Sequence, residues 1–225
     1  MKKMKKMYVC ALTLAGVAVT ANAQAFDVAV GGHVSTLGVG VDVTTAIVPG
    51  HLNGRAGLHW AEYGIDAESD GVDYDADLEL FSGLIAADWH PFQGRFRITG
   101  GVLLNDNKVT GRGEPTPGAT YTINNTVYTA TNVGRLDAEI SYNTAAPYLG
   151  IGWGNPVGGD SNWTMFVDVG VAFLGSPDVD LEVSGPLATN AAFRADLEQE
   201  KKDLEDDLDS YTYYPVIKVG VTYRF

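Results

Sequence analysis

The chain has 225 residues and a formal net charge of −13. That balance excludes a nucleic-acid binder and a binder of anionic membrane surfaces, both of which need clustered cations. The one cysteine, Cys10, rules out a disulfide framework.

The first elements form an export signal. Lys2, Lys3, Lys5 and Lys6 precede an uncharged apolar run over 8–19, and Ala21-Asn22-Ala23 supplies the small residues of a signal-peptidase site. The apolar run is shorter than the roughly 20 residues a spanning helix needs. Residues 1–23 are therefore expected to be a cleaved signal peptide, and 24–225 a single β-barrel domain. Cleavage removes Cys10 and four lysines, leaving 28 acidic and 11 basic residues, or −17. No later uncharged apolar stretch approaches 20 residues, which excludes an α-helical membrane protein.

Downstream, apolar and polar residues alternate with period two, the pattern of a sheet with two unlike faces. The predicted strands fall at 27–35, 39–47, 52–60, 74–89, 96–104, 135–153, 163–173 and 211–225. The sixth changes phase at Ala145-Ala146-Pro147, which predicts a bulge. The last is the most regular: Ile217, Val219, Val221, Tyr223 and Phe225 share one face, and Lys218, Gly220, Thr222 and Arg224 the other. Eight is an even count, so an antiparallel sheet can close and leave no unpaired backbone edge in lipid. Short Pro/Gly-containing connections at 48–51, 91–94 and 154–162 are predicted on the periplasmic side. A tight turn at 36–38 and longer loops at 66–73, 110–134 and 176–210 are predicted outside. Within those loops, 121–130 carries a hairpin signal around Asn124-Asn125. Residues 191–209 lack Gly and Pro and place Phe193, Leu197, Leu204 and Leu208 at helical spacing. The expected fold is all-β: an eight-stranded antiparallel transmembrane up-and-down β-barrel with a short helix in the last extracellular loop.

Alternation assigns a set of charges to the lumen: Asp42, Arg55, Glu79, Arg95, Arg97, Glu139, Asp168, Lys218 and Arg224, with His33, His59 and Asp137 beside them. Eight strands leave an interior just wide enough for side chains to fill. These charges either pair into a plug, because an unpaired buried charge is costly, or line a narrow polar path. A second group, Asp66, Glu68, Asp70, Asp73, Asp75 and Asp77, predicts an acidic mouth that would concentrate cations. Its spacing lacks the terminal glutamate of a calcium loop. His33, Ser35 and Asp42 are the residues a Ser/His/acid site would use, yet spacing supplies none of the mutual geometry such a site requires. The sequence shows no metal-spaced His cluster and no phosphate loop, so no catalytic residue, metal ligand or cofactor is assigned. Expected partners are outer-membrane lipid and lipopolysaccharide, the outer-membrane assembly machinery (through the terminal strand ending in Tyr223 and Phe225) and small cationic solutes. Nucleic acid is not among them.

Several segments in series carry a resemblance. They are Asp88-Trp89-His90-Pro91-Phe92, Asn105-Asp106-Asn107, Ala146-Pro147-Tyr148-Leu149-Gly150-Ile151-Gly152, Gly175-Ser176-Pro177-Asp178-Val179 and Pro215-Val216-Ile217-Lys218-Val219-Gly220-Val221. Over roughly 70–225 the chain resembles the small outer-membrane barrels of the CarO type, described as ornithine-uptake porins, and more distantly the OmpA- and OmpW-type barrels. The resemblance implies an eight-stranded barrel and, as in some members of that family, passage of basic amino acids. The expected function is therefore a narrow passive channel for small cationic solutes. The alternatives are a non-conducting structural or adhesive barrel and, last, a lipid-modifying enzyme.

Overall fold

The computed structural model describes residues 27–69, 72–115, 118–159, 161–208 and 212–225, without the side chains of 65–69, 72–74 and 115. The expected signal peptide therefore lies outside the described residues.

Eight strands close into a ring. In chain order they are β1 (Val28–Ser35), β2 (Gly38–Val48), β3 (Leu52–Ser69), β4 (Val72–Trp89), β5 (Phe96–Asn105), β10 (Ala145–Trp153), β11 (Trp163–Phe173) and β13 (Tyr213–Arg224). Each pairs antiparallel with the next, and β13 returns to β1 with Ala29 opposite Arg224 and Ser35 opposite Lys218. The period-two pattern dictates this arrangement, because every wall strand buries one face and exposes the other. In β11, Phe166, Asp168, Gly170 and Ala172 point inward, while Met165, Val167 and Val169 point out.

The outward face is apolar yet exposed; Val169 is 50% and Ile85 62% accessible. Aromatics bracket this belt. Trp89, Trp153, Trp163 and Phe225 ring the end with the short turns, where Tyr223 packs between Trp163 and Phe225 at 5.0 and 5.1 Å. Phe81, Tyr63, Phe173 and Tyr213 mark the other end. From Trp163 to Phe173 the strand covers about 33 Å, or about 25 Å along the axis of a barrel tilted by about 40°, which matches the hydrocarbon-facing band of a membrane barrel. Among the described residues no helix is long and apolar enough to cross a membrane.

The loop end departs from the expectation. Here β3 and β4 do not stop at the wall. They run on as one 18-residue-per-strand hairpin, with Leu52 opposite Trp89 and Ser69 opposite Val72. The upper half of β4 pairs with β6 (Lys108–Pro115), β6 with β9 (Leu136–Ser141), and β9 with β12 (Asp178–Val183). These strands make an open flap above the barrel. The expected single strand over 135–153 is in fact two, β9 in the flap and β10 in the wall. The phase change at Ala145-Ala146-Pro147 is thus the break between a flap strand and a wall strand rather than a bulge. The corner is held where the Asn105 amide donates to the Thr144 carbonyl at 2.6 Å.

Smaller elements complete the flap. The expected hairpin forms as β7 (Thr120–Ile123) and β8 (Thr126–Thr129). Its turn places Asn124 and Asn125 at φ 47° and 57°, the left-handed pair a tight hairpin requires. A single helical turn, α1 (Ala130–Val133), follows. The expected helix forms as α2 (Ala191–Leu208), with Asn190 Oδ1 accepting from the amides of Ala192 and Phe193 as an N-terminal cap. Phe193 buries its ring against Tyr128 and joins Tyr121, Ile123 and Val133 in a small core separate from the barrel's.

Candidate functional site: the filled lumen

A narrow barrel can hold long polar side chains only where its opposing wall is small. Asp42 lies in register with Gly31 and Gly57, and Asp168 with Gly152. A Cβ at Gly57 would fall 2.1 Å from Asp42 Oδ1, and one at Gly152 2.1 Å from Asp168 Oδ1. The glycines of this chain therefore carve out the volume that the charges fill.

Three layers occupy that volume. Nearest the short turns, the Asn53 amide reaches His90 Nε2 at 3.0 Å and Asn155 Oδ1 at 3.1 Å. The segment Asn155-Pro156-Val157 folds inward to close this end, and Arg224 donates to the Val157 carbonyl at 3.3 Å. The central layer is ionic. Arg55 binds Asp168 at 2.7 Å and Asp88 at 3.0 Å. Arg97 binds Asp168 at 2.6 Å and also donates to the Gly154 carbonyl. Lys218 binds Asp42 at 2.9 Å and stands 3.8 Å from Asp168. Thr99 donates to Asp88 at 2.6 Å. Arg97 and Lys218 also lie 5.5 and 5.7 Å from the Phe166 ring centre. Toward the loop end the third layer is apolar: Leu37, Leu84, Leu103, Tyr148, Leu174 and Val216 pack together.

The ionic layer balances three carboxylates, Asp42, Asp88 and Asp168, against three cations, Arg55, Arg97 and Lys218. All six are at most 4% exposed. This is the condition under which buried charge is tolerable: each ion has partners of opposite sign in good geometry. Removing one member leaves a charge in low dielectric without compensation.

Five of the nine charges assigned to the lumen meet here: Asp42, Arg55, Arg97, Asp168 and Lys218. Arg224 sits half-buried at the lower rim. Three expectations are corrected. Glu79 is exposed on the flap, because in β4 the even-numbered positions Leu80, Ser82, Leu84 and Ala86 point inward and Glu79 does not. Arg95 is exposed in the turn just before β5 begins. Glu139 stands on β9, outside the wall, 3.9 Å from Lys108; Asp137 is on the same strand, bonded to Arg112 and Arg135. Asp88 belongs to the site and was missed. The parity that sends Trp89 outward sends Asp88 inward, and that signal was present in the sequence. Ser35 is not poised for catalysis: its hydroxyl donates to Gly38 O at 3.0 Å and accepts from the Leu37 amide at 3.2 Å.

Of the expected acidic mouth, Asp70 lies outside the described residues, as do the side chains of Asp66, Glu68 and Asp73. The backbones of Asp66, Glu68, Asp73, Asp75 and Asp77 lie along the flap hairpin rather than around an opening. Asp75 and Asp77 are exposed, and β6 brings Arg112 opposite Asp75.

A closed eight-stranded antiparallel barrel with an apolar belt and a filled, charge-paired lumen defines the class: a membrane-type up-and-down β-barrel. More particularly, the fold is that of the CarO-type barrels. The chain is similar to the crystal structure of Acinetobacter baumannii CarO2, with 21% identity, a TM-score of 0.58, and coverage of 89% of this chain and 100% of that one. It is similar also to A. baumannii CarO, with 24% identity, a TM-score of 0.53, and coverage of 88% and 98%. A major outer membrane protein from Thermus thermophilus aligns at 16% identity over 89% and 98% of the two chains, with a TM-score of 0.44. No protein-family model matches the chain, and no curated protein matches it.

Proposed function

We propose that this chain is an outer-membrane barrel with a closed lumen, a scaffold that carries its flap and α2 on the outer surface. Residues 1–23 export it, the strand ending in Tyr223 and Phe225 addresses it to the assembly machinery, and outer-membrane lipid and lipopolysaccharide surround its belt. The observation that carries the closed state is Arg55. It reaches from β3 to Asp168 on β11 and Asp88 on β4, between an Asn/His layer below and an apolar layer above. A solute path would need all three layers to part. This favours the non-conducting alternative over the expected passive channel for basic amino acids.

Planar-bilayer conductance and liposome swelling with the purified protein test the proposal. The expected result is no ohmic conductance and no entry of ornithine or arginine. Stable conductance steps with selective swelling would replace it with the channel function. Membrane fractionation with an outer-membrane marker tests the location.

A further inference from the structure

We propose that His33, Asp42 and His59 form a lumenal site for one divalent transition-metal ion of the zinc type. The three residues come from β1, β2 and β3, and their donor atoms all lie within 4.8 Å of one another. They are 6%, 1% and 1% exposed. The two imidazole rings are 4.8 Å apart, and His33 Nδ1 stands 3.3 Å from Asp42 Oδ2.

Three polar atoms of this cluster have no hydrogen-bond partner: Nε2 of His33, Nδ1 of His59 and Oδ1 of Asp42. Buried polar atoms are rarely left so, because each forfeits its hydration without return. A bound cation would satisfy them together. The ion-pair layer does not: Lys218 and Arg55 engage Asp42 through Oδ2 and leave Oδ1 free. Asp42 can thus bridge, with one carboxylate oxygen kept on Lys218 and the other turned to the metal.

Glycines on the neighbouring strands leave room for the His33 ring in the lumen. A Cβ at Gly40 would fall 2.5 Å from His33 Nε2, and one at Gly220 2.7 Å from His33 Cβ. Zinc–nitrogen bonds of about 2.1 Å in a tetrahedron place neighbouring donors about 3.4 Å apart. The widest present separation, 4.8 Å, closes to that by rotation about the side-chain bonds. Two imidazoles and one carboxylate leave a fourth position for water.

The donor chemistry selects the ion. The neighbouring carboxylates are already matched by Arg55, Arg97 and Lys218, so a cation gains little from net charge here. Its affinity must come from imidazole nitrogen, which suits zinc, cobalt, nickel or copper and not calcium or magnesium.

The test uses the protein refolded into detergent micelles with Zn²⁺ or Co²⁺, then washed with a mild chelator to strip the exposed carboxylates. Metal content is measured by mass spectrometry, and the Co²⁺ form by visible absorption. The expected result is about one ion per chain, with the ligand-field bands of nitrogen-containing four- or five-coordinate cobalt. His33→Asn and His59→Gln should each lower retention tenfold or more, with the folded barrel verified by its heat-modifiable mobility on gels. Retention below roughly 0.2 ion per chain in the wild type would overturn the proposal. So would equal retention in either folded variant. If neither variant folds, the wild-type cobalt spectrum decides, and its absence counts against the site.

Discussion

Asp168→Asn isolates the ionic layer. Asparagine keeps the volume, so no cavity contributes. The aspartate accepts from Arg55 at 2.7 Å and from Arg97 at 2.6 Å, with Lys218 3.8 Å away. Its neutralisation leaves three buried cations facing Asp42 and Asp88 alone. Breaking a buried pair in this way costs about 3–5 kcal/mol. At about 1.36 kcal/mol per factor of ten, that is two to nearly four powers of ten in the folding equilibrium. The assay is urea unfolding of the protein in lipid vesicles, followed by tryptophan fluorescence; Trp60, Trp89, Trp153 and Trp163 all lie on wall strands. Arg97→Met added to Asp168→Asn restores two cations against two carboxylates. The double variant should be more stable than the sum of its parts by about 1–3 kcal/mol. A single-variant loss under about 1 kcal/mol would refute the reasoning, since it would mean that lumenal water already screens these charges.

Further outcomes follow from other contacts. Gly152→Ala would set a Cβ 2.1 Å from Asp168 Oδ1 and 2.9 Å from Arg97 Nε, so it should cost about 1–3 kcal/mol in the same unfolding assay. Val169→Arg puts a charge on the middle of the apolar belt; it should lose about 2–4 kcal/mol in bilayers, and an unchanged stability there would argue against a spanning orientation. Phe193→Ala should remove about 3–5 kcal/mol from the flap core. Limited proteolysis should then cut within 191–208 sooner, while the barrel keeps its heat-modifiable mobility. The flap should also respond to pH. Tyr128, and then Asn124, hydrogen-bond the Asp196 carboxylate and hold it below its usual 3.8, and the same bond holds the Tyr128 hydroxyl above 10.0. The depressed acid stabilises the flap above the ordinary carboxylate range, and that contribution is lost as pH falls through its folded value. The raised phenol loses its contribution as pH climbs past 10.0. Tyrosine fluorescence or amide exchange near 124–128 should therefore stay constant at neutral pH and change at both extremes. Asp196→Asn should abolish the acid transition and weaken the alkaline one, because the same carboxylate raises the Tyr128 hydroxyl.

The chain's own pattern determined the wall. Alternation reports which side of a strand a residue occupies, so it located the belt from Val167 and Val169 and the interior from Asp168 and Lys218. Local signals were equally legible where the physics is local. Two consecutive asparagines made the β7–β8 turn, and helical spacing of Phe193 and Leu197 made α2. Parity also carried Asp88 inward.

Tertiary structure decided what periodicity cannot encode. Whether β9 continues β10 or leaves for the flap depends on which edge is free above the barrel, and the upper half of β4 offers one through β6. That choice removed Glu139 from the lumen. The closure of the lumen is likewise a property of distance between walls. Arg55 and Asp168 are 113 positions apart and 2.7 Å distant. A sequence states that both point inward; only the radius of an eight-stranded ring, narrowed by the side chains opposite Gly57 and Gly152, makes them meet.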